Sequence, residues 1–255
     1  MDVKKRIIQM LDEVEENHKV KVLYAIENGS RVWGMSSRDS DYDVRFIYIR
    51  KKEDYLRIHR ERDVIEVPED KEHKIDMVGF DIYKFFGLLK ESNPTVIEWL
   101  VSSIVYRNVF KGYRELREFI EAKFNPMSLF HHYKSMCKNN YLKYIKSGTD
   151  IRHKRYLYCL RGLVNAVYVM DRLKVPPISF QGAAKVANIP KDVKASIGEI
   201  IRVKKDGMEK DKIGKIPVFD KEIEGFIESA EQPEPRKMHA MDIFNRILFK
   251  NLESA

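Results

Sequence analysis

The stretch that most constrains this chain lies between two apolar runs. "VKVLYAIE" (20–27) and "YDVRFIYI" (42–49) read as strands, and "ENGSRVWGMSSRDSDYDVRF", Glu27 to Phe46, joins them. It imitates a phosphate loop, because Gly29 and Gly34 have the spacing of G-x-x-x-x-G-K-[ST] and Ser36 takes the hydroxyl position. Met35, however, stands where that loop requires the lysine that contacts the β- and γ-phosphates. The stretch also imitates a calcium loop, with Asp39, Asp41 and Asp43 at positions 1, 3 and 5. Such a loop needs glycine sixth and glutamate twelfth, and the chain has Val44 and Arg50 there, between strands rather than helices. Both readings fail on those residues.

A third reading is strand, Gly-Ser turn, short helix, loop, strand. Gly29 lets the backbone turn sharply and bring N–H groups against a phosphate. Ser30 and Arg31 open a helix whose N-terminal end favours an anion. On the next strand, alternation puts Asp41 and Asp43 on one face, about 6–7 Å apart along the chain, and Tyr42, Val44 and Phe46 on the core face. Two carboxylates beside a phosphate turn are a donor set for Mg²⁺ ions that also bind triphosphate oxygens. A third carboxylate is then expected from a neighbouring strand. Asp76 in "HKIDMVGF" (73–80) is the best placed, sharing a face with Val78 and Phe80; the plainer alternative is a surface aspartate at a strand edge. Asp81 is the fallback, although it reads better as the N-cap of the next helix, and Asp39 is left as a turn residue.

The remaining pattern divides the chain. A helix over 2–17 precedes the first strand, "DVIEV" (63–67) reads as a further strand, and helices follow at 81–91 and after Asn93-Pro94. Beyond about residue 109 strand signals fade, and 111–122, 127–147, 151–173, 191–205, 219–230 and 237–252 all read as helices. The expected fold class is α+β: a small mixed-sheet domain over 1–110 and an all-helical domain over 111–255. Charge divides the same way. Residues 1–108 hold 19 Lys and Arg against 21 Asp and Glu, and residues 109–255 hold 28 against 18. The excess concentrates in 123–174, with 11 basic and 2 acidic residues among many tyrosines. Such a surface suits RNA or a nucleoside triphosphate, or else is a solvated face over an aromatic core. The N-terminal segment lacks the apolar core of a signal peptide, and no run reaches membrane-spanning length. The widely spaced Cys137 and Cys159 fit a reducing cytoplasm.

Gly29-Ser30, ten intervening residues, then Asp41-Tyr42-Asp43-Val44 resembles the signature of the DNA polymerase β-like nucleotidyltransferase superfamily. The longer string "GSRVWGMSSRDSDYDVRFIY" is similar to one branch of it, the RNA-repair-pathway-associated polymerase β-like family. "DMVGFDIYKFFGLLKESNPTVIEWLVSSIVY" (76–106), "KRYLYCLRGLVNAVYV" and Pro176-Pro177 extend that resemblance over most of residues 20–180. It implies a polymerase β-like palm fold and transfer of a nucleoside monophosphate from an NTP to a hydroxyl, with release of pyrophosphate. Asp41, Asp43 and Asp76 would be catalytic and bind Mg²⁺, or Mn²⁺ in its place, while Gly29 and Ser30 would hold the β- and γ-phosphates. Arg31 is either a further phosphate contact or a surface cation. Arg45 either balances the aspartates or reaches a phosphate. Lys84 matches a lysine in the same family segment.

In the helical half, Lys154, Tyr158, Arg161 and Asn165 fall at i, i+4, i+7 and i+11, one stripe of a helix. Appended helical domains of the superfamily close over the nucleotide, which implies a nucleotide-binding role for Lys154, Tyr158 (on the base) and Arg161 (on a phosphate). A solvated polar face is the alternative. The expected acceptor is an RNA 3′ end of tRNA type, in the cytoplasm. A protein or small-molecule hydroxyl is the second reading, and a non-catalytic RNA- or nucleotide-binding module the third.

Overall fold

The computed structural model describes residues 2–59, 61–206 and 211–253. The elements run α1 (Val3–His18), β1 (Lys21–Asn28), α2 (Gly29–Val32), β2 (Tyr42–Ile49), α3 (Lys52–Tyr55), β3 (Val64–Asp70), β4 (Ile75–Asp81), α4 (Ile82–Lys90), α5 (Pro94–Val101) and β5 (Val105–Asn108). Helices α6 (Tyr113–Lys123) and α7 (Pro126–Asn140) follow, and α7 runs into a π-helical segment, Tyr141–Lys146. The chain ends with α8 (His153–Arg172), α9 (Phe180–Val186), α10 (Lys191–Asp206), α11 (Pro217–Glu228) and α12 (Met241–Leu252). The α+β class expected from the sequence is the one observed.

The five strands form one sheet in the order β3-β4-β2-β1-β5. Only β2 and β4 are parallel; the other neighbours are antiparallel. Alternation along β2 and β4 decides which face is which. Val44, Phe46 and Tyr48 of β2 and Ile75 and Met77 of β4 are buried against Ile7, Met10, Leu11 and Val14 of α1. The other face carries Asp43, Arg45, Asp76, Val78 and Phe80, and there the Phe80 ring meets Trp99 of α5 at 4.7 Å. A strand whose two faces differ so sharply has a fixed register, because a slip of one residue would put the charged set in the core.

The chain divides into two compact units, and the division is interleaved. One comprises 1–29, 41–123 and 238–255; the other comprises 30–40 and 124–237. This division differs from a single cut near residue 110 at 30–40, at 111–123 with α6, and at 238–255. Trp33 and Met35 are apolar and join the helical core with Tyr156, Leu160 and Phe180. At the other end, α12 returns to the sheet-bearing unit, where Phe244 stacks on Phe86 of α4 at 4.8 Å and Asn251 exchanges hydrogen bonds with the Lys111 backbone.

Helices α7 and α8 form the centre of the helical unit. Gly162 permits their approach: a Cβ there would lie 2.6 Å from the Tyr133 carbonyl oxygen. Among the described residues no helix is long and apolar enough to cross a membrane.

Candidate functional site

The carboxylates come together through strand register. Asp43 of β2 stands directly beside Asp76 of β4 in the parallel pair. Their neighbour Arg45 lies between them, its Nη2 2.7 Å from Asp76 Oδ2 and 3.3 Å from Asp43 Oδ1. Its Nη1 donates to the carbonyls of Val44 and Asp76. Two like charges side by side on a sheet repel, and the guanidinium offsets that repulsion at partly exposed positions. Of the two roles open to Arg45, balancing the aspartates is the one this geometry displays.

Gly29, which follows β1 and opens α2, meets the Asp43 side of this pair. Its φ is +70°, in the left-handed region, and a Cβ would fall 2.1 Å from Asp43 Oδ2. Glycine is therefore required twice, for the backbone conformation and for the approach of the carboxylate. Below Asp43 lies a group that the sequence reading missed. Glu27 is fully buried, and its Oε1 accepts the Asp43 N–H at 2.9 Å while Oε2 accepts the Tyr106 hydroxyl at 2.5 Å. The available signal was a carboxylate at the end of the apolar run "VLYAIE". A buried carboxylate needs donors of this kind to offset its desolvation.

The remaining expected residues are placed as follows. Asp41 is exposed and immediately precedes β2, which begins at Tyr42. Ser30 is buried, and its carbonyl accepts the Met35 N–H. Arg31 donates from Nη2 to the Ser40 carbonyl at 2.6 Å and so ties off the loop 31–40. Asp39 is in a turn. Asp81 caps α4 as expected: Oδ1 accepts the Tyr83 N–H, Oδ2 accepts the Tyr55 hydroxyl, and burial pushes its carboxyl up from the usual range. Lys84 pairs with Asp63 at 3.1 Å.

In the helical unit the stripe on α8 differs from an open polar face. Lys154 and Tyr158 are half-buried, but Arg161 is only 2% exposed and Asn165 3%. The Arg161 guanidinium lies 3.8 Å from the Trp33 ring, and Tyr158 meets that ring edge-on at 5.8 Å. Two hydrogen bonds hold the same segment from α9 and α10: Phe180 N–H to the Trp33 carbonyl at 3.0 Å, and the buried Lys204 Nζ to the Met35 carbonyl at 2.7 Å. Arg161 therefore packs against Trp33, in the loop between Ser30 and Ser40.

Among the described residues no group of three or more His, Cys, Asp or Glu is already arranged to hold a metal ion. The donors nevertheless fit a hard divalent cation. Asp43 and Asp76 already flank one positive charge, that of Arg45, and carboxylate oxygens are the ligands Mg²⁺ takes.

The family model of the RNA repair pathway DNA polymerase beta family matches residues 3–250. The chain is 36% identical over 255 residues to the uncharacterized protein YcgL of Bacillus subtilis (strain 168), covering 98% of this chain and 97% of that one. It is also similar to the crystal structure of a nucleotidyltransferase-like protein from Exiguobacterium sibiricum 255-15. That match has 10% identity and a TM-score of 0.37, and covers 99% of this chain and 80% of the other. With its glycine turn, strand carboxylates and a family match over nearly its whole length, the chain belongs to the RNA repair pathway DNA polymerase beta family and is a nucleotidyltransferase.

Proposed function

We propose that the protein transfers a nucleoside monophosphate from an NTP to the 3′ hydroxyl of an RNA, using Mg²⁺ at Asp41, Asp43 and Asp76. The observation that carries this reading is the placement of Asp43 beside Asp76 with the Gly29 turn packed on the Asp43 carboxylate. Bound divalent ions supply the positive charge that in-line phosphoryl transfer needs at both the attacking and the leaving oxygen. The chain's own residues prepare the place. Glu27 fixes the Asp43 backbone and with it the side chain, while the Gly29-Ser30 turn offers N–H groups to the β- and γ-phosphates. Arg45 bridges the two aspartates and holds them together when no other cation is present. The basic 123–174 segment, which includes Lys154 and Tyr158 and holds 11 cations against 2 carboxylates, serves an RNA backbone.

The test is pyrophosphate release from each of the four NTPs, with and without total tRNA, together with label transfer from α-³²P-NTP. RNA-dependent release that Asp41→Ala with Asp43→Ala abolishes is the expected result. Release that survives the double substitution would move the chemistry elsewhere. Release that needs a protein or small-molecule acceptor instead of RNA would keep the site and change the substrate.

A further inference from the structure

A cavity of about 410 Å³ opens in the sheet-bearing unit at the far end of β2 and β4 from the paired aspartates. Asp43 pairs with Asp76, and five residues on Tyr48 pairs with Asp81, so roughly 17 Å of strand separates the two places. The volume lies within the range of pockets that take small organic ligands.

Its lining is mixed in a way that narrows the ligand. Three cations, Arg50, Arg62 and Lys84, and four carboxylates, Asp54, Glu61, Asp63 and Asp81, face one space. A bare anion meets the carboxylates there, and a bare cation meets the guanidinium and ammonium groups. Such a lining suits a group without net charge that carries hydrogen-bond donors on one edge and acceptors on another. One wall is aromatic: Tyr55 and Tyr83 lie with ring centroids 4.8 Å apart, and Tyr83 is half exposed. That wall is held in place from behind, where Tyr55 donates to the buried Asp81 carboxylate and accepts the Arg50 N–H at 3.0 Å. The Tyr83 backbone is fixed by the same carboxylate.

We propose that this cavity is a nucleobase-binding site, separate from the transfer site, in which a base stacks on Tyr83 and is read by Arg62 and Asp63. Guanine fits it best, because one edge offers adjacent acceptors to a guanidinium and another offers adjacent N–H donors to a carboxylate. The base belongs either to a free nucleotide or to an RNA strand, and the chemistry is shared. The proposal concerns binding and does not depend on the transfer reaction.

Titration of the full chain with guanosine in EDTA tests it, since a nucleoside without phosphates cannot use the glycine turn or bound metal. Saturable one-to-one binding is expected. Tyr83→Ala and the exposed Arg62→Ala should each weaken it about fivefold or more, with Tyr83→Phe close to wild type and Asp43→Asn unchanged. Absence of saturable binding overturns the proposal. So does binding that both Tyr83→Ala and Arg62→Ala leave intact, or that Asp43→Asn removes. Displacement of bound guanosine by a short single-stranded RNA assigns the site to an RNA base; failure of RNA to displace it assigns the site to a free nucleotide.

Discussion

The paired aspartates of β2 and β4 and the polar stripe of α8 are both rows of charged side chains on regular elements, yet they are set in opposite ways. Asp43, Arg45 and Asp76 are partly exposed, and their backbone is held from beneath by the buried Glu27 and the strand ladder. Arg161 and Asn165 are inside the helical unit, and Arg161 is spent on the face of Trp33. Solvent access decides what each row can do. An exposed carboxylate pair can exchange one cation for another, whereas a buried guanidinium stacked on indole maintains the packing of its neighbours. Substitutions in the first region should therefore register in activity, and substitutions in the second in stability.

The largest expected effect is on activity alone. Asp41→Ala with Asp43→Ala should lower pyrophosphate release by at least about a hundredfold, while the melting temperature stays within a few degrees of wild type. Gly29→Ala comes next and should affect both. Its methyl group would overlap the Asp43 carboxylate and its φ of +70° is unfavourable for alanine. That conformation costs about 1–2 kcal/mol, and release should fall about tenfold or more as Asp43 is displaced.

Arg161→Met is the converse experiment. It removes a charge stacked at 3.8 Å on Trp33 and keeps most of the volume. Losing a desolvated cation–π contact of this kind costs about 2 kcal/mol, so chemical denaturation should show a stability loss, with Arg161→Lys recovering only part of it. Unchanged stability together with a raised KM for NTP would return Arg161 to the phosphate role and undo the contrast. A smaller effect is expected from Arg45→Ala, which leaves Asp43 and Asp76 facing one another without their cation. Stability should fall by roughly 0.2–1 kcal/mol, and added Mg²⁺ should raise the melting temperature more in this variant than in wild type. An equal Mg²⁺ response in the two proteins would mean that the metal and Arg45 do not share the aspartates.

How much of this was readable in advance follows from the range of the interactions involved. Strands β1 and β2, their alternation and the Gly29, Asp41 and Asp43 spacing are local patterns, and the sequence displays them directly. Pairing of Asp76 with Asp43 could be anticipated because both stand on faces fixed by alternation. Strand β5 was hidden, since four residues, Val105–Asn108, carry too little pattern, and it forms by pairing with β1. The interleaving was equally hidden. Nothing local in "SRVWGMSSRDS" says that Trp33 enters the helical core or that Lys204, about 170 residues later, donates to Met35. The α8 stripe was readable as a stripe, but its burial depends on that same distant segment. Glu27 looked like the end of a strand because its partners, Asp43 N–H and the Tyr106 hydroxyl, come from two other strands.

The smallest expected effect tests whether the helical unit responds through packing when the perturbation is only a proton. His153 stands at the start of α8, where burial lowers its pKa below 6.5; Lys204 acts in the same direction and Asp211 opposes it. A histidine whose pKa is lowered in the folded state takes up a proton more readily when unfolded. The unfolded chain therefore binds more protons as pH falls through about 6.5, and stability must fall with it. Above that pH both states are neutral at this position and the contribution is flat. Melting curves from pH 7.5 down to pH 5.5 should show His153→Gln losing less stability than wild type across that window, and the two proteins should differ by a constant amount above it. Pyrophosphate release measured at pH 7.5 should be the same in both. A wild-type curve parallel to that of His153→Gln throughout would place His153 in water, and a matching loss of activity at pH 7.5 would place it among the groups that serve the nucleotide.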